Sequence, residues 1–300
     1  MNIGIDVGGS HIGIGLVNDH GCIEKMKETY ITENESNKIR ALIESFIIDT
    51  LKSWKENGIS FSKIGIAMPG IVVDDIIMQS FNIGIQEYDL KSIISNEFPD
   101  CEIHIKNDAK CAALAEKNMG ALKEFNDAVF MCLGTGIGGA AFYNGELVSP
   151  RRSPGFEYGH TIIKKNGIPC KCGSAGCFEK YGSMKAFKCN IRNVLGVDEN
   201  IDGKELKSIV ENSLNDEKLQ NTIDSYIDDL CVGMSNIINI LEPEAICIGG
   251  GFTEYQDLLL EKLINKLNTC DYIFYKPNMP KIMIAKLGND AGIIGSALFL

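Results

Sequence analysis

The pattern that most constrains the fold is a hairpin with a glycine turn that occurs twice, 126 residues apart. The first copy runs through residues 3–7, turns at Gly8-Gly9 and resumes at residues 12–16. The second copy runs through residues 128–133, a glycine-rich turn and residues 140–143. Short apolar runs separated by glycine are typical of β-hairpins. The shift superposes Gly8 on Gly134, Gly13 on Gly139 and Asn18 on Asn144.

Each copy continues with a third strand, followed by alternating helices and strands. The first half predicts strands at 22–30, 63–68 and 101–105, and helices at 35–57, 90–98 and 108–118. The second half predicts strands at 146–148, 244–248 and 281–285, and helices at 217–241, 255–267 and from 290. This order indicates an α/β protein of two βββαβαβα units, whose glycine turns face each other across a cleft. Chance recurrence of glycine-punctuated hairpins is the alternative that the pattern leaves open.

Length and charge limit the classes of function. At about 150 residues per domain, 300 residues predict two domains. The net charge of −11 comes from 40 acidic and 29 scattered basic residues, so the chain lacks the basic footprint of a nucleic-acid binder. It also lacks an apolar run of about 18 residues and a basic leader, which predicts a cytoplasmic protein with no membrane partner. The chain has eleven cysteines, an odd number, and it is long enough to bury a core without disulfides. The cysteines are therefore predicted to be reduced thiols, some of them holding metal.

One histidine and three cysteines have the spacing of metal ligands. They are His160, Cys170, Cys172 and Cys177, and turn-forming Gly-Ile-Pro and Gly-Ser-Ala-Gly segments separate them. An imidazole and three thiolates form the tetrahedral set that Zn²⁺ favours, and four protein ligands leave no position open for a catalytic water. We therefore predict a structural zinc. Accidental clustering in a cysteine-rich chain is the alternative.

Three glycine turns are candidates for holding phosphate or nucleoside. Gly134–Gly139 matches GxGxxG, but a hairpin rather than a helix follows it, which argues against a dinucleotide-binding fold. Its exposed N–H groups still suit an anion. Asp6 precedes a similar turn, Gly8-Gly9-Ser10, and could hold hydrated Mg²⁺. Gly249–Gly251 follows a buried strand and is either a structural turn or a platform for a nucleoside.

Acidic residues at predicted element ends are the candidates for chemistry. Asn107 and Asp108 lie where a strand passes into a helix, so Asp108 is either the helix N-cap or a residue facing a ligand. Glu157 and Glu179 flank the predicted zinc loop. They are either solvated surface carboxylates or hydrogen-bond partners of a polyhydroxylated ligand.

In this order the segments resemble the ROK family (repressor, open reading frame, kinase), whose members are sugar kinases and sugar-responsive repressors with the actin-like ATPase (ribonuclease H-like) fold. The most family-specific piece is Cys170-Lys-Cys-Gly-Ser-Ala-Gly-Cys-Phe-Glu179. The other matching segments are Asp6-Val-Gly-Gly-Ser10, Met68-Pro-Gly70, Ser80-Phe-Asn82, residues 107–116, Gly134–Gly139, Glu157-Tyr-Gly-His160, Ile248–Gly251 and residues 289–295. The resemblance covers nearly the whole chain.

The resemblance implies an ATP-dependent transfer of phosphate to the 6-hydroxyl of a hexose or N-acetylhexosamine, with Asp108 as the general base rather than a cap. It implies sugar contacts from Asn82, Asn107, Asp108, Glu157, His160 and Glu179. It implies Mg²⁺ at Asp6, and contacts to ATP or ADP from Asp6, Gly8, Gly9, Ser10, Gly134, Thr135, Gly136, Gly249, Gly250 and Gly251. It also suggests an N-terminal domain of residues 1–118 completed by a helix at about 290–300, a larger domain of 119–289, and a homodimer.

Departures from the family pattern leave the sugar open. Phe156 stands where the family has a small residue, His11 and Gly13 occupy positions that are often basic, and Ile85 replaces a frequent tryptophan. The chain begins at the first strand, whereas repressor members carry a helix-turn-helix before it, which favours the kinase branch. The alternatives are a sugar-sensing member without efficient turnover and a chaperone-like ATPase, and the latter leaves the zinc loop unexplained.

Overall fold

The structure is a computed structural model that describes residues 1–149 and 155–299. The chain forms two compact units. The first, called the outer unit, comprises Met1–Glu124, the described residues of Leu147–Gly155, and the C-terminal segment from Lys286. The second, called the inner unit, comprises Phe125–Glu146 and Phe156–Ala285. The first boundary thus lies at residues 124/125, six residues beyond the position suggested by the resemblance.

The outer unit is built on a five-stranded sheet of order β3-β2-β1-β4-β8. Its strands are β1 (Asn2–Val7), β2 (His11–Val17), β3 (Ile23–Tyr30), β4 (Lys63–Met68) and β8 (Glu102–Asn107). The hairpins joining β1, β2 and β3 are antiparallel, whereas β1, β4 and β8 run parallel. The carboxyl ends of the three parallel strands therefore lie at one edge of the sheet.

Helices cover both faces of this sheet. Helix α1 (Ser36–Glu56) places a buried stripe, including Ile43 and Ile47, in the same hydrophobic cluster as Ile3 and Ile5 of β1. The other helices are α2 (Leu90–Glu97), α3 (Asp108–Asn118) and the C-terminal α9 (Ala291–Phe299). Gly4 of β1 permits the backbone of α9 to approach the sheet, since a Cβ there would overlap the Ile293 carbonyl.

A three-stranded antiparallel sheet in the outer unit was not foreseen from the sequence patterns. It consists of β5 (Ile71–Val73), β6 (Ile76–Ser80) and β7 (Ile85–Tyr88). The strands are only three to five residues long, and Asp74 and Asp75 in the β5–β6 turn have positive φ angles. Short strands joined by irregular turns give too few residues for a period-two pattern to be recognised.

The inner unit repeats the sheet of the outer unit, with order β11-β10-β9-β12-β13. Its strands are β9 (Ala128–Leu133), β10 (Ile137–Tyr143), β11 (Glu146–Leu147), β12 (Ala245–Gly249) and β13 (Lys281–Ile284). The bounds of β9 and β10 are those of β1 and β2 shifted by 126 residues. The duplication inferred from the glycine turns is therefore present in the topology.

The helices of the inner unit are α4 (Glu179–Gly182), α5 (Met184–Leu195), α6 (Gly203–Asn212), α7 (Glu217–Leu241) and α8 (Gln256–Thr269). The sequence patterns predicted α7 and α8 but not α4, α5 or α6. Helix α5 begins at a serine cap, since Ser183 Oγ accepts a hydrogen bond from Ala186 N, and ends at Gly196 in the left-handed region. Among the described residues, no helix combines the length and apolar character needed to cross a bilayer.

Candidate active site and metal centre

Two carboxylates of the outer unit meet where parallel strands end. Asp6 is the penultimate residue of β1, and Asp108 is the first residue of α3, directly after β8. Two effects together raise the pKa of Asp6 to about 7: desolvation, which is the larger, and repulsion from the neighbouring carboxylate of Asp108. Asp6 is half-buried, and two adjacent carboxylates form an oxygen donor set that a divalent cation would stabilise in the ionised form.

Asn107, not Asp108, caps helix α3. The Asn107 side-chain oxygen accepts a hydrogen bond from Lys110 N at 3.2 Å, and its Nδ2 donates to the Gly70 carbonyl at 3.0 Å. Asp108 Oδ1 accepts from the adjacent Ala109 N at 2.8 Å. The N-cap of α3 is therefore Asn107, and Asp108 is the first residue of the helix.

Asn82 lies in the turn between β6 and β7, on the three-stranded sheet. The turn is fastened to helix α1, because Ser36 Oγ donates to the Gly84 carbonyl at 2.6 Å. Gly84 has a φ of +70°, in the region that favours glycine. The Asn82 side chain is exposed on this fixed turn and so is available to a ligand.

The turn after β1 leaves its backbone accessible. Gly8 N donates to the His11 carbonyl at 2.8 Å, and this bond closes the turn. Gly9 and Ser10 are exposed, and no described atom lies within 4 Å of the place where a Gly9 Cβ would stand. At Gly292 in α9, by contrast, a Cβ would overlap the Asp6 carboxylate. The first turn of α9 therefore packs directly against Asp6.

The equivalent turn of the inner unit is braced by Glu179. Gly134 N donates to the Gly136 carbonyl at 2.9 Å, and Glu179 Oε2 accepts from Ile137 N at 3.1 Å. A Cβ at Gly136 would overlap the Glu179 carboxylate. Because β10 follows the turn as a hairpin strand antiparallel to β9, the GxGxxG segment is not a dinucleotide-binding fingerprint, as the sequence analysis argued.

The third glycine segment ends β12 and starts a 3₁₀ helix, Gly250–Tyr255. Gly250 has a φ of +72°, and a Cβ there would lie 2.7 Å from the Leu133 carbonyl. The glycine thus allows the turn to pack closely on the end of β9. This packing fixes Gly249–Gly251 beside the strand that leads into the Gly134 turn.

The four expected zinc ligands come together in the inner unit. The potential ligand atoms of His160, Cys170, Cys172 and Cys177 all lie within 4.8 Å of one another. His160 Nδ1 is 3.8 Å from Cys170 Sγ, and Cys172 Sγ is 3.6 Å from Cys177 Sγ. In a tetrahedron with Zn–S bonds of about 2.3 Å, two sulfurs lie about 3.8 Å apart. The donor set and its spacing therefore fit a zinc ion.

Local backbone structure explains how the chain folds around this cluster. Isolated β-bridges join Ile162 to Cys177 and Pro169 to Ala175. Gly173 and Gly176 adopt φ angles of +90° and +81°, which glycine permits without strain. His160 ends the 3₁₀ turn Tyr158–His160, and Glu179 follows Cys177 by two residues. A metal bound here would hold both His160 and Glu179.

The whole chain matches a known family. The model of the ROK family covers residues 2–300. The chain belongs to the ROK family. It is 30% identical to a glucokinase of Halalkalibacterium halodurans over 98% of this chain and 92% of that protein. It is 29% identical to a xylose repressor of Caldicellulosiruptor bescii, over 98% of this chain and 76% of that protein.

Solved structures of the ROK family share the fold. A ROK family glucokinase from Streptomyces griseus, in complex with glucose and AMPPNP, is 25% identical to this chain and matches it with a TM-score of 0.80. The match covers 99% of this chain and 97% of that chain. The expected α/β architecture, two duplicated units of the actin-like ATPase class, is thereby confirmed.

Phe156, one of the departures named above, lies in a strained backbone conformation. Its φ of +63° is in the left-handed region, which favours glycine over any residue with a Cβ. The Phe156 ring packs edge-on against Tyr158, with centroids 6.2 Å apart. The strained residue immediately precedes Glu157.

The expected site residues are divided between the two units. The outer unit contains Asp6, Gly8, Gly9, Ser10, Asn82, Asn107 and Asp108. The inner unit contains Gly134, Thr135, Gly136, Glu157, His160, Glu179, Gly249, Gly250 and Gly251.

The sequence patterns did not single out Glu116, which is fully buried in α3 although it is ionisable. The available signal was its place on the same helical stripe as Ala109 and Ala113.

Proposed function

We propose that this protein is an ATP-dependent sugar kinase that transfers the γ-phosphate of ATP to the 6-hydroxyl of a hexose or N-acetylhexosamine. The observation that carries the proposal is the pair of carboxylates Asp6 and Asp108 at the ends of parallel strands, with the cap of α3 supplied by Asn107. The likeness to a glucokinase, and to a ROK glucokinase solved with glucose and AMPPNP, supports a sugar and ATP as the substrates.

Asp108 would act as the general base. Its carboxylate accepts the proton of the sugar hydroxyl while the hydroxyl oxygen forms a bond to the γ-phosphorus. The bond from that phosphorus to the β,γ-bridging oxygen breaks, and its electron pair leaves with ADP. Phosphoryl transfer depends chiefly on positioning and charge stabilisation, so a carboxylate of ordinary basicity suffices.

Asp6 and the glycine turns would hold the nucleotide. Mg²⁺, when bound, neutralises the phosphate charge that develops during transfer. Asp6 suits it because a divalent cation would offset the desolvation and the repulsion from Asp108 that raise the pKa of this carboxylate. In a chain with a net charge of −11 and no P-loop, the turns Gly8–Ser10 and Gly134–Gly136 would receive the phosphates through the N–H groups other than those of Gly8 and Gly134, which close the turns. Gly249–Gly251 would border the adenosine.

The sugar would be held by groups that differ in rigidity. Asn82 and Asn107 are fixed by their turn and helix cap, whereas Glu157, His160 and Glu179 lie on or beside the cysteine loop. If Nδ1 of His160 binds zinc, the ring proton lies on Nε2, which then donates to a sugar hydroxyl. The zinc itself would be structural, since the four protein ligands leave no open position.

A sugar-sensing protein without efficient turnover is the second candidate, and the 29% identity to a xylose repressor over nearly the whole chain favours it. ADP release with Mg-ATP on a panel of hexoses, N-acetylhexosamines and xylose separates the two. Sugar-dependent ADP formation supports the kinase and identifies its substrate. Calorimetric sugar binding with no sugar-dependent ADP formation would contradict the kinase and support the sensor.

We also propose where the protein acts in the cell and how many copies assemble. A protein that consumes ATP and sugar and keeps free thiols would act in the cytoplasm. We also propose a homodimer, which sedimentation velocity at micromolar concentration would test.

A further inference from the structure

A buried carboxylate in the outer unit is bound by three backbone amides. Glu116 is 0% exposed. Its Oε1 accepts hydrogen bonds from Lys286 N at 2.8 Å and Leu287 N at 2.7 Å, and its Oε2 accepts from Ala121 N at 2.7 Å. The three donors lie outside helices and strands, so these bonds satisfy amides that regular structure does not.

The fit around the carboxylate is close on both sides. At Gly120, a Cβ would overlap Glu116 Oε2, so the chain leaving α3 is shaped to the carboxylate. Lys286 is the residue at which the chain re-enters the outer unit. Charge-assisted bonds to backbone N–H groups are stronger than neutral ones, and a buried carboxylate without them would be strongly destabilising. Glu116 therefore fixes the start of the C-terminal segment.

That segment leads directly to Asp6. After Leu287 the chain forms the 3₁₀ turn Gly288–Asp290 and then α9, where Gly292 packs against the Asp6 carboxylate. One turn later, Gly295 lies so close to the Cys111 carbonyl of α3 that a Cβ would overlap it. Four residues of C-terminal chain, 288–291, thus separate Leu287, which is bound to Glu116, from Gly292, which packs against Asp6.

We propose that Glu116 is a positioning residue for Asp6. By binding the amides of Lys286 and Leu287, Glu116 keeps the first turn of α9 packed against the Asp6 carboxylate, which in the proposed function binds Mg-ATP. The proposal rests on the proposed kinase function. Asn82, a sugar contact in the proposed function, lies on a turn that is fastened to α1 through Gly84. Loss of Glu116 should therefore weaken Mg-ATP use without weakening sugar use.

Hydrogen exchange followed by mass spectrometry tests the geometry without relying on activity. In the wild type, the amides of Ala121, Lys286 and Leu287 should exchange slowly, although they lie outside regular structure. Glu116→Gln keeps the side-chain shape but replaces one acceptor oxygen by an amide donor, and it should speed exchange in peptides covering 119–122 and 286–292 by about tenfold or more. Glu44→Gln is the matched control, since Glu44 accepts from Tyr88 Oη at 3.0 Å in the same unit and lies on α1.

Steady-state kinetics test the positioning role. Glu116→Gln should raise KM for Mg-ATP about tenfold and leave KM for the sugar within about twofold, whereas Glu44→Gln should change neither by more than about twofold. Equal changes in both constants, or fast exchange of the three amides in the wild type, would overturn the proposal. If Glu116→Gln does not fold, Glu116→Asp and the wild-type exchange rates decide the question. A wild type without sugar-dependent ADP formation would refute the kinase function, while the exchange measurements would still test the segment that Glu116 holds.

Discussion

The two units share a sheet topology but hold their candidate site residues by different means. In the outer unit, Asp6 and Asp108 lie on a strand and a helix, where the hydrogen bonds of regular structure position them. In the inner unit, Glu157 and His160 lie at a short 3₁₀ turn, and His160 belongs to a cluster of four side chains that could hold a metal ion. In the function proposed above, a duplicated scaffold would thus carry the reacting carboxylates on regular elements in one copy and sugar contacts on a loop in the other.

The glycine turns show the same contrast. A Cβ at Gly9 in the turn of the outer unit would meet no described atom within 4 Å, whereas a Cβ at Gly136 in the turn of the inner unit would overlap the carboxylate of Glu179. The shift of 126 residues places Gly136 on Ser10, so the inner turn has a glycine, filled by Glu179, where the outer turn has a serine. Four predictions test whether the two units divide the work as this comparison indicates.

The largest effect is expected at Asp108, in the outer unit. Asp108→Asn keeps the side-chain size but cannot accept the hydroxyl proton, so kcat should fall about 10³-fold, while sugar affinity measured by calorimetry should stay within about threefold. The control is Asp100→Asn, an exposed aspartate of the same unit. An Asp108→Asn variant with a turnover rate near that of the wild type would refute the general-base assignment.

The next effect concerns the inner unit and its metal centre. The purified protein should contain about one zinc per chain, and Cys172→Ser should lose it and raise KM for the sugar about tenfold or more, because Glu157, His160 and Glu179 lose their support. Cys189→Ser is the control, since Cys189 is an exposed free thiol of the same unit on α5. Atomic absorption and kinetics provide the measurements. Absence of zinc from carefully purified wild type would remove the structural-zinc proposal.

A pH dependence is expected from Asp6 in the outer unit. Its pKa is raised by burial to about 7, so between about pH 4 and pH 7 the folded state holds a proton that the unfolded state has lost. Stability should fall as pH rises through this window, and Asp6→Asn should remove the fall. Without divalent cations, Asp6→Asn should be more stable than wild type by about 2–4 kcal/mol at pH 8 and equal to it below about pH 4.

Urea unfolding of both proteins across this pH range, in the presence of EDTA, is the measurement. Asp19→Asn, an exposed aspartate of the outer unit, is the control and should follow the wild type. A wild type whose stability stays constant from pH 4 to pH 8 would contradict the protonated, buried Asp6.

The smallest effect compares the two glycine turns directly. Gly136→Ala should destabilise the protein by about 1–3 kcal/mol because its Cβ displaces the Glu179 carboxylate. Gly9→Ala should change stability by no more than about 0.5 kcal/mol, since no described atom occupies that space. Neither glycine has a positive φ, so backbone strain does not confuse the comparison. Equal urea midpoints for the two variants would show that Glu179 does not restrict the turn at Gly136.

Much of the fold was predictable from the sequence. The apolar runs around Gly8 and Gly134 predicted β1, β2, β9 and β10, and the spacing of His160 and the three cysteines predicted a cluster that the structure assembles. These features are local, because a strand, a tight turn or a short ligand loop is set by residues near one another in the chain. The small sheet β5–β7 was missed, since its strands are held by irregular turns rather than by a periodic pattern.

The site was predictable in its residue types and less so in their roles. The sequence by itself determined the duplicated strands, the glycine turns and the acidic and cysteine-rich motifs. Only the tertiary structure decided that Asn107 takes the cap beside Asp108, that Glu179 fills the space at Gly136, and that Glu116 binds amides 170 residues away. Each of these depends on which backbone groups are left without a partner once the elements pack, and packing brings together residues whose separation along the chain carries no signal.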